Sequence, residues 1–408
     1  MTNERTRRDV VVMGGGPAGS VTAALLARAG ASVTLLERES FPRFHLGESL
    51  SPGAMAALDE LGLTAAMQGR YLAKRGVRVG CCRTGRAQRF GYDEAPSEGF
   101  TVAYQAPRAD FDDLLLKRAR ELGVDARERC AADDVIVEDG RVTGVRARHH
   151  SGQREDFVAP LVVDATGQDS LLAKRFGERL PLPGLDRAAM VAHYQRVSRG
   201  DGDAEGDLDL VVSPHGQVWN APLPGEVNTL GAVCSPAWVR ARRVGESLED
   251  FFERTLDDAP LARARLTRAT RLTPVRAVTG FAFAVARRHG PGWVAVGDAG
   301  GFVDPLFCSG TLMAIAGGAR AVPAMLDALA KGEADGAAVA RWAEEMERAT
   351  SLLVGLTQAL YAGDLGDVMV ESRSRAQRAP FAGVLAGDVF GDDPPWREAL
   401  RLQFPASG

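Results

Sequence analysis

Apolar and polar positions along this chain follow two periods, and the switches between them outline its elements. Asp9-Val10-Val11-Val12-Met13 is a short apolar run behind a charged start and reads as a buried strand. The turn Gly14-Gly15-Gly16-Pro17-Ala18-Gly19 follows. Val21 to Ala29 is Ala- and Leu-rich and reads as helix, and Ser32 to Leu36 reads as a second strand ending in Glu37. Trp293-Val294-Ala295-Val296 is another buried strand, followed by GDAGGFVDPLFCSGT from Gly297 to Thr311. Pro305 is expected to keep that segment extended. From Ser309, Leu312, Ile315, Ala316, Ala319 and Val322 recur on one helical face. Val339, Trp342, Met346, Ala349, Leu353, Leu356 and Leu360 are spaced three and four apart over about three heptads. That stripe is expected to dock on the protein's own substrate layer; a lid or a dimer surface is the other reading. Beyond Arg378 the chain is Gly- and Pro-rich, with Phe381, Phe390, Trp396 and Phe404 expected to drape over that helix. Gly200–Asp209, acidic and Gly-rich, reads as a surface loop.

Composition narrows the class. With 408 residues the chain has room for two domains, or for one large α/β domain with an elaborated second layer. Apolar residues make up 45% and charged residues 25%, as in globular proteins. A net charge of −4 argues against a nucleic-acid partner, which needs a basic surface. No apolar run approaches about 18 residues, so no membrane span is expected. The first apolar run, Val10 to Met13, is too short for a signal-peptide core. The cysteines are Cys81, Cys82, Cys130, Cys234 and Cys308, an odd number with no CxxC pair. That favours a reduced, cytoplasmic protein over a disulfide framework.

The glycine turn carries the first chemistry. Gly14 makes the tight turn, Gly16 lets a pyrophosphate approach, and Gly19 lets helix pack on strand. Glu37, about 20 residues on, can accept ribose hydroxyls. GxGxxG alone would suit any glycine-rich turn, but here a strand, a helix, a second strand and an acid surround it, so it reads as dinucleotide binding. Asp298, at the exit of the second buried strand, can accept a sugar hydroxyl or cap the next turn. A helix starting near Ser309 directs free N–H groups and the positive end of its dipole toward an anion or the edge of a flavin.

Residues 41–50, FPRFHLGESL, carry a resemblance. With GDAGGFVDPLFCSGT they resemble the flavin-dependent halogenases that act on phenolic or carrier-bound substrates, within the FAD-dependent p-hydroxybenzoate-hydroxylase superfamily. Arg108, Asp110 and Phe111 in PRADFDDLLLKRA are similar to the helix start that binds FAD phosphate there, and Asp164-Ala165-Thr166-Gly167 to the DATG element closing the FAD domain. The resemblance implies an α/β fold: an FAD-binding Rossmann-like domain over residues 1–70, 101–175 and 280–332, a substrate domain on a mostly antiparallel sheet over 71–100 and 176–279, and a helical C-terminal region over 333–408. It implies FAD bound by Gly14, Gly16, Pro17, Ala18, Gly19, Glu37, Arg38, His45, Gly47, Glu48, Ser49, Arg108, Asp164, Gly167, Asp298, Pro305, Gly310 and Thr311. Glu48 is expected to bond its neighbours or the FAD ribityl region, and His45 to polarise the flavin or a phenol, or simply to pack. Ser309, Gly310 and Thr311 offer consecutive N–H donors that can hold halide or a flavin carbonyl oxygen. Cys308 stands where serine is common in relatives and reads as a small packing residue rather than a redox thiol.

The resemblance also implies a functional lysine in a KxG element, here Lys74-Arg75-Gly76. Lys74 is one of only four lysines among 49 basic residues, so arginine is the default cation of this chain. The halogenases share a WxWxIP element; residues 217–222 read QVWNAP, matching at Trp219 and Pro222 and departing at Gln217 and Ala221. The implied function is halogenation of an electron-rich aromatic, a phenol, a pyrrole or a carrier-bound ring, from reduced FAD, dioxygen and halide. With no second nucleotide fingerprint, the reductant is expected from a separate flavin reductase rather than from NADPH alone. A flavin monooxygenase or dehydrogenase/reductase without halide chemistry is the alternative, and a non-catalytic FAD-binding protein a third.

Overall fold

Val10–Met13 is apolar on both faces, and such a strand is stable only where both faces are covered. In the computed structural model, which describes residues 5–332 and 336–391, it lies inside a six-stranded sheet. The order is His289–Gly290, Trp293–Ala295, Leu161–Asp164, Val10–Met13, Val33–Leu36 and Asp125–Arg127. The last five strands are parallel. The crossover helix Pro17–Arg28 starts earlier than its apolar pattern suggests, because Pro17 suits a first turn, where no N–H is needed. A four-stranded sheet, Arg5–Arg7, Arg154–Val158, Arg141–His149 and Cys130–Glu138, packs over one face.

The second layer is an eight-stranded sheet built from Gly76–Cys81, Arg86–Gly91, Ala188–Gln195, Leu208–Ser213, Gly216–Pro222, Val227–Cys234, Thr270–Arg271 and Arg276–Thr279. Its ladders are antiparallel except where Leu208–Ser213 meets Gly76–Cys81. Helix Leu248–Asp257 covers the outer face through Phe251, Phe252 and Leu256. The inner face, with Trp219, Val233 and Ala189, meets Phe281, Phe302 and Tyr361. The segment 200–209 is not all loop: Asp207 and Asp209 are buried, paired to Arg89 and to Arg78 and Arg265.

Helix Ser309–Lys331 is the long internal strut. The run Leu306–Lys331 is long and apolar enough to cross a membrane, contrary to the expectation from the sequence, and 56% of its apolar 18-residue window is buried inside the fold. It packs against Pro17–Arg28 on one side and against helix Ala337–Ala362 on the other. The stripe on Ala337–Ala362 therefore docks on this helix rather than on the substrate layer. Trp342 donates from Nε1 to the Gly317 carbonyl at 3.1 Å. Leu356 is only half-buried, and Thr357 takes the inward position. Phe381 lies on a further helix, Arg375–Ala386, and packs edge-on against Phe90; Phe390 meets Arg320. Trp396 and Phe404 lie outside the described residues.

Replacing Trp342 with Phe keeps most of the ring and deletes the bond to Gly317. Stability should fall by about 1 kcal/mol, seen as a lower urea midpoint at unchanged m-value. An unmoved midpoint would show that the bond does not help dock this helix.

Candidate functional site

The glycine turn is closed on two sides and open on the third. Gly14 has φ +104°, and a Cβ there would lie 2.3 Å from the Ala165 carbonyl oxygen. A Cβ on Gly19 would lie 1.9 Å from the Gly14 carbonyl oxygen. Those two positions are closed by the protein itself. At Gly16 a Cβ would meet only the Arg43 guanidinium, at 3.4 Å. The Glu37 carboxylate accepts from Gly15 N at 2.7 Å and from Glu39 N at 2.8 Å, which holds it at the mouth of the turn. Arg108 donates to Asp112 from Nε at 2.7 Å and from Nη2 at 3.0 Å. Arg43 reaches the same carboxylate at 3.2 Å, yet its Nη1 makes no hydrogen bond. Two guanidiniums thus share one fully buried carboxylate beside an open backbone cradle. The excess positive charge, the unsatisfied N–H and the space at Gly16 fit a pyrophosphate. Asp298 lies nearby; burial pushes its carboxyl up to about 7, against the pull of Arg108.

Other residues named by the sequence are drawn elsewhere. Asp164 accepts from Thr166 N, Thr166 Oγ1 and Leu172 N at 3.0, 2.6 and 2.7 Å, so it shapes the turn at Gly167 rather than facing the cradle. Arg38 is exposed and pairs with Asp169. Asp110 pairs with Arg70 and accepts from the Tyr71 hydroxyl. Glu48 is bonded within the fold: it is buried, with Oε2 3.2 Å from His193 Nε2, and it accepts from the Thr229 hydroxyl. Glu48 therefore ties the 41–50 segment to the substrate sheet. His45 is exposed, with Nδ1 2.8 Å from the Leu46 carbonyl oxygen. A Cβ on Gly47 would lie 3.4 Å from Arg108 Nη1.

The 297–311 stretch doubles back instead of running extended after Pro305. Pro305 has φ −64° and ψ −10°, and Phe307 and Cys308 both have positive φ, at 58° and 54°. Asp304 dictates this turn by accepting from Leu306 N at 3.0 Å while its carbonyl accepts from Ser309 Oγ at 2.8 Å. The same buried carboxylate accepts from the Tyr361 hydroxyl at 2.9 Å and from Gln217 Nε2 at 3.3 Å, and burial pushes it up to about 7. Thr311 Oγ1 donates to the Ser49 carbonyl at 3.2 Å, joining this stretch to the 41–50 segment. The side chains of Ser309 and Thr311 are thus satisfied by backbone, and their N–H groups, with that of Gly310, form the first turn of the helix.

Lys74 ends the strand Leu72–Lys74, which pairs with Ala103–Gln105; Ser49 bridges Gln105. Lys74 is fully buried. Its Nζ is 2.9 Å from the Leu50 carbonyl oxygen, 3.3 Å from Cys308 Sγ and 5.5 Å from the Tyr92 ring centre. The ammonium therefore sits where the two motif segments meet. Trp219 lies flat over Gly231, where a Cβ would be 2.0 Å from the indole, and Pro222 ends the same strand. Gln217 shares that face and holds Asp304 and Tyr361. Sequence reasoning missed Arg43, Asp112, His193, Thr229, Asp304 and Tyr361. Arg43, Asp112 and Asp304 stand inside the motifs already singled out, Asp112 one helical turn after Arg108; the others carry no local signal.

The sequence model of the tryptophan halogenase family matches residues 9–80 and 79–363. A tryptophan 2-halogenase of Chondromyces crocatus is 28% identical over 310 residues, 75% of this chain and 58% of its own length. This chain thus spans less than two thirds of that relative. A brominase of pyrrole-2-carbonyl peptidyl-carrier protein from Pseudoalteromonas luteoviolacea is 30% identical over 328 residues, 79% of this chain and 78% of its own. The solved flavin-dependent brominase Bmp2 superposes with a TM-score of 0.86 at 25% identity, covering 98% of this chain and 99% of that one. The myxobacterial chondrochloren halogenase CndH gives 0.78 at 29%, covering 96% and 93%.

Gly16→Val should fold normally, since nothing but the Arg43 side-chain tip adjoins the new Cβ, and should lose FAD. Unchanged thermal unfolding of the apo protein with flavin titration showing no binding is the expected pair of results; wild-type FAD affinity would move the pyrophosphate elsewhere. Asp304 gives a pH signature. Its carboxyl is raised in the fold to about 7, so the folded state holds a proton that the unfolded chain releases from about pH 4 upward. The stability contribution of this group is complete below about pH 4 and is lost as pH rises through about 7. Relative to wild type, Asp304→Asn should therefore gain melting temperature as pH rises across that window. A pH-independent difference would show that Asp304 is ionised throughout.

Proposed function

The chain belongs to the tryptophan halogenase family, and from that premise we propose that it halogenates an electron-rich aromatic ring, with Lys74 as the residue that directs the halogen. It is an FAD-dependent enzyme, and FAD, when reduced and supplied with dioxygen, provides the oxidising equivalent that turns halide into hypohalous acid. The proposed task of the protein is to hold, separate and aim. Gly16 with Arg43 and Arg108 would take the pyrophosphate, Glu37 and Asp298 the sugar hydroxyls, and the N–H groups of Ser309, Gly310 and Thr311 an anion such as halide.

The observation that carries the reading is the position of Lys74. A lysine with a surface role would reach water; this one is fully buried, with Nζ held between the Leu50 carbonyl and Cys308. Isolated burial of an ammonium is costly, and here two donors' worth of bonding offsets it while a third N–H is left for a ligand. That N–H can donate to the oxygen of hypohalous acid, or the amine can itself take the halogen once it has lost its proton. Trp219, on the sheet facing the flavin segments, would keep the ring to be halogenated off the cofactor. A phenol, a pyrrole or a carrier-bound ring is the substrate class we propose, with a separate flavin reductase supplying electrons.

Reduced FAD, dioxygen and bromide or chloride should be incubated with a panel of phenols, pyrroles and indoles, free and carrier-bound, and the products weighed by mass spectrometry. Wild type should yield halogen-bearing products. Lys74→Ala should bind FAD with near-normal affinity and cut halogenation by about 100-fold or more, because the oxidant loses its guide. Lys74→Arg should fail too, since a guanidinium stays protonated. Products that gain oxygen alone, or a Lys74→Ala variant at wild-type rate, would remove the lysine from the mechanism and favour a monooxygenase.

A further inference from the structure

Cys308 is the cysteine whose sulfur touches an ammonium among the described residues: its Sγ is 3.3 Å from Lys74 Nζ. All five cysteines are free. Cys130 and Cys234 are buried, their thiols pushed up to about 11 and about 12 by desolvation, and Cys81 Sγ meets only Asp367. Cys308 and Lys74 come from segments 234 residues apart, and both are buried. They are also fixed independently: Lys74 by Leu50 O, and Cys308 by its left-handed backbone, shared with Phe307, at the start of helix Ser309–Lys331. The contact is thus built into the junction rather than a chance meeting of surface tips.

We propose that this pair is an oxidative modification site: hypohalous acid reaching Lys74 is captured by the Cys308 thiol, and the two side chains join through a sulfur–nitrogen bond. The inference rests on the proposed delivery of that oxidant to Lys74. The steps balance. The thiol reacts with hypohalous acid to give a sulfenyl halide and water. The neutral Lys74 amine then displaces halide from sulfur, and one proton is released. Sulfur gives up two electrons, the halogen leaves as halide, and the protein loses two hydrogens. Thiol sulfur is oxidised in this way toward sulfenyl species that condense with nitrogen. The flexible four-carbon stem of lysine closes the remaining gap, whereas the rigid turn at Cys308 stays in place. The bond removes the amine from the halogen-transfer position, so a surplus of oxidant that finds no substrate silences the site instead of escaping. A small thiol attacking the sulfur frees the amine and leaves a mixed disulfide on Cys308, which a second thiol displaces to restore both groups. With serine in place of Cys308 no such bond can form.

The FAD-loaded protein should be treated with one equivalent of reagent hypochlorous acid, quenched, digested and mapped by mass spectrometry. The expected product is a cross-link between the peptides holding Lys74 and Cys308, with the intact protein about 2 Da lighter and the change reversed by dithiothreitol. Cys308→Ser should show no cross-link, and Lys74→Arg should show Cys308 carrying oxygen instead. Wild-type Cys308 found unmodified, or only oxygenated, would overturn the proposal whatever the variants do. A cross-link formed by the reagent acid but never during turnover with reduced FAD, dioxygen and bromide would leave the pair standing and sink the delivery of oxidant to Lys74.

Discussion

Everything at this site depends on how closely helix Pro17–Arg28 approaches helix Ser309–Lys331. The two helices follow the two glycine-rich turns, so their crossing brings residues 14–19 and 297–311 to one crevice. The approach is possible because the facing positions are nearly bare. A Cβ on Gly318 would fall 2.7 Å from Thr22 Oγ1, and one on Gly297 2.7 Å from Ala18 Cβ. Side chains of ordinary size there would part the helices and open the crevice that Gly16 leaves for a ligand. Helix Ala337–Ala362 reinforces the crossing from the far side, where Met346 packs on Gly317 and Trp342 bonds its carbonyl. Helix Ala337–Ala362 thus acts as a clamp on helix Ser309–Lys331.

Buried charge is the second constraint, and the fold satisfies it unevenly. Lys74 has two fixed partners, Leu50 O and Cys308 Sγ. Arg43 and Arg108 have a single carboxylate between them, Asp112. Asp304 is pushed toward its neutral form by burial, against its bonds from Tyr361 and Leu306, which favour the charged form. A buried ion that lacks full compensation is costly unless a ligand completes it. The deficit lies at Arg43 and at the Lys74 ammonium, one beside the cradle at Gly16 and the other between the two motif segments. The proposed function would put an anion at the first and an oxidant at the second.

The parts of the fold readable from sequence are those set by local pattern. The first strand and its glycine turn, Glu37 at the end of the next strand, and the helix from Ser309 all follow from periodicity and turn chemistry over a few residues. What escaped depends on contacts between distant segments. Glu48 lies in a recognisable motif, but its partners His193 and Thr229 are 145 and 181 residues away, and nothing local says that it turns toward them. Pro305 was expected to extend the chain, but the carboxylate of the preceding Asp304 accepts from Leu306 N and bends it, which a reading of proline alone cannot foresee. Leu356 belongs to the apolar stripe by spacing, yet Thr357 is the buried residue there, and the spacing of apolar residues alone does not tell the two apart.

Gln217 ties these threads together. Of the WxWxIP element that the resemblance brings in, residues 217–222 keep only Trp219 and Pro222. A buried glutamine has four hydrogen-bonding sites to satisfy, so it needs polar neighbours where tryptophan would need mainly apolar ones. Here the Gln217 amide N–H group donates to Asp304, which shapes the turn before Cys308, and to Tyr361, near the end of helix Ala337–Ala362, while its buried Oε1 has no partner. The substrate sheet, the second flavin segment and the C-terminal helix are thereby bonded at one point. Gln217 thus braces the Asp304 turn, and Cys308 lies beside Lys74 at the end of that turn.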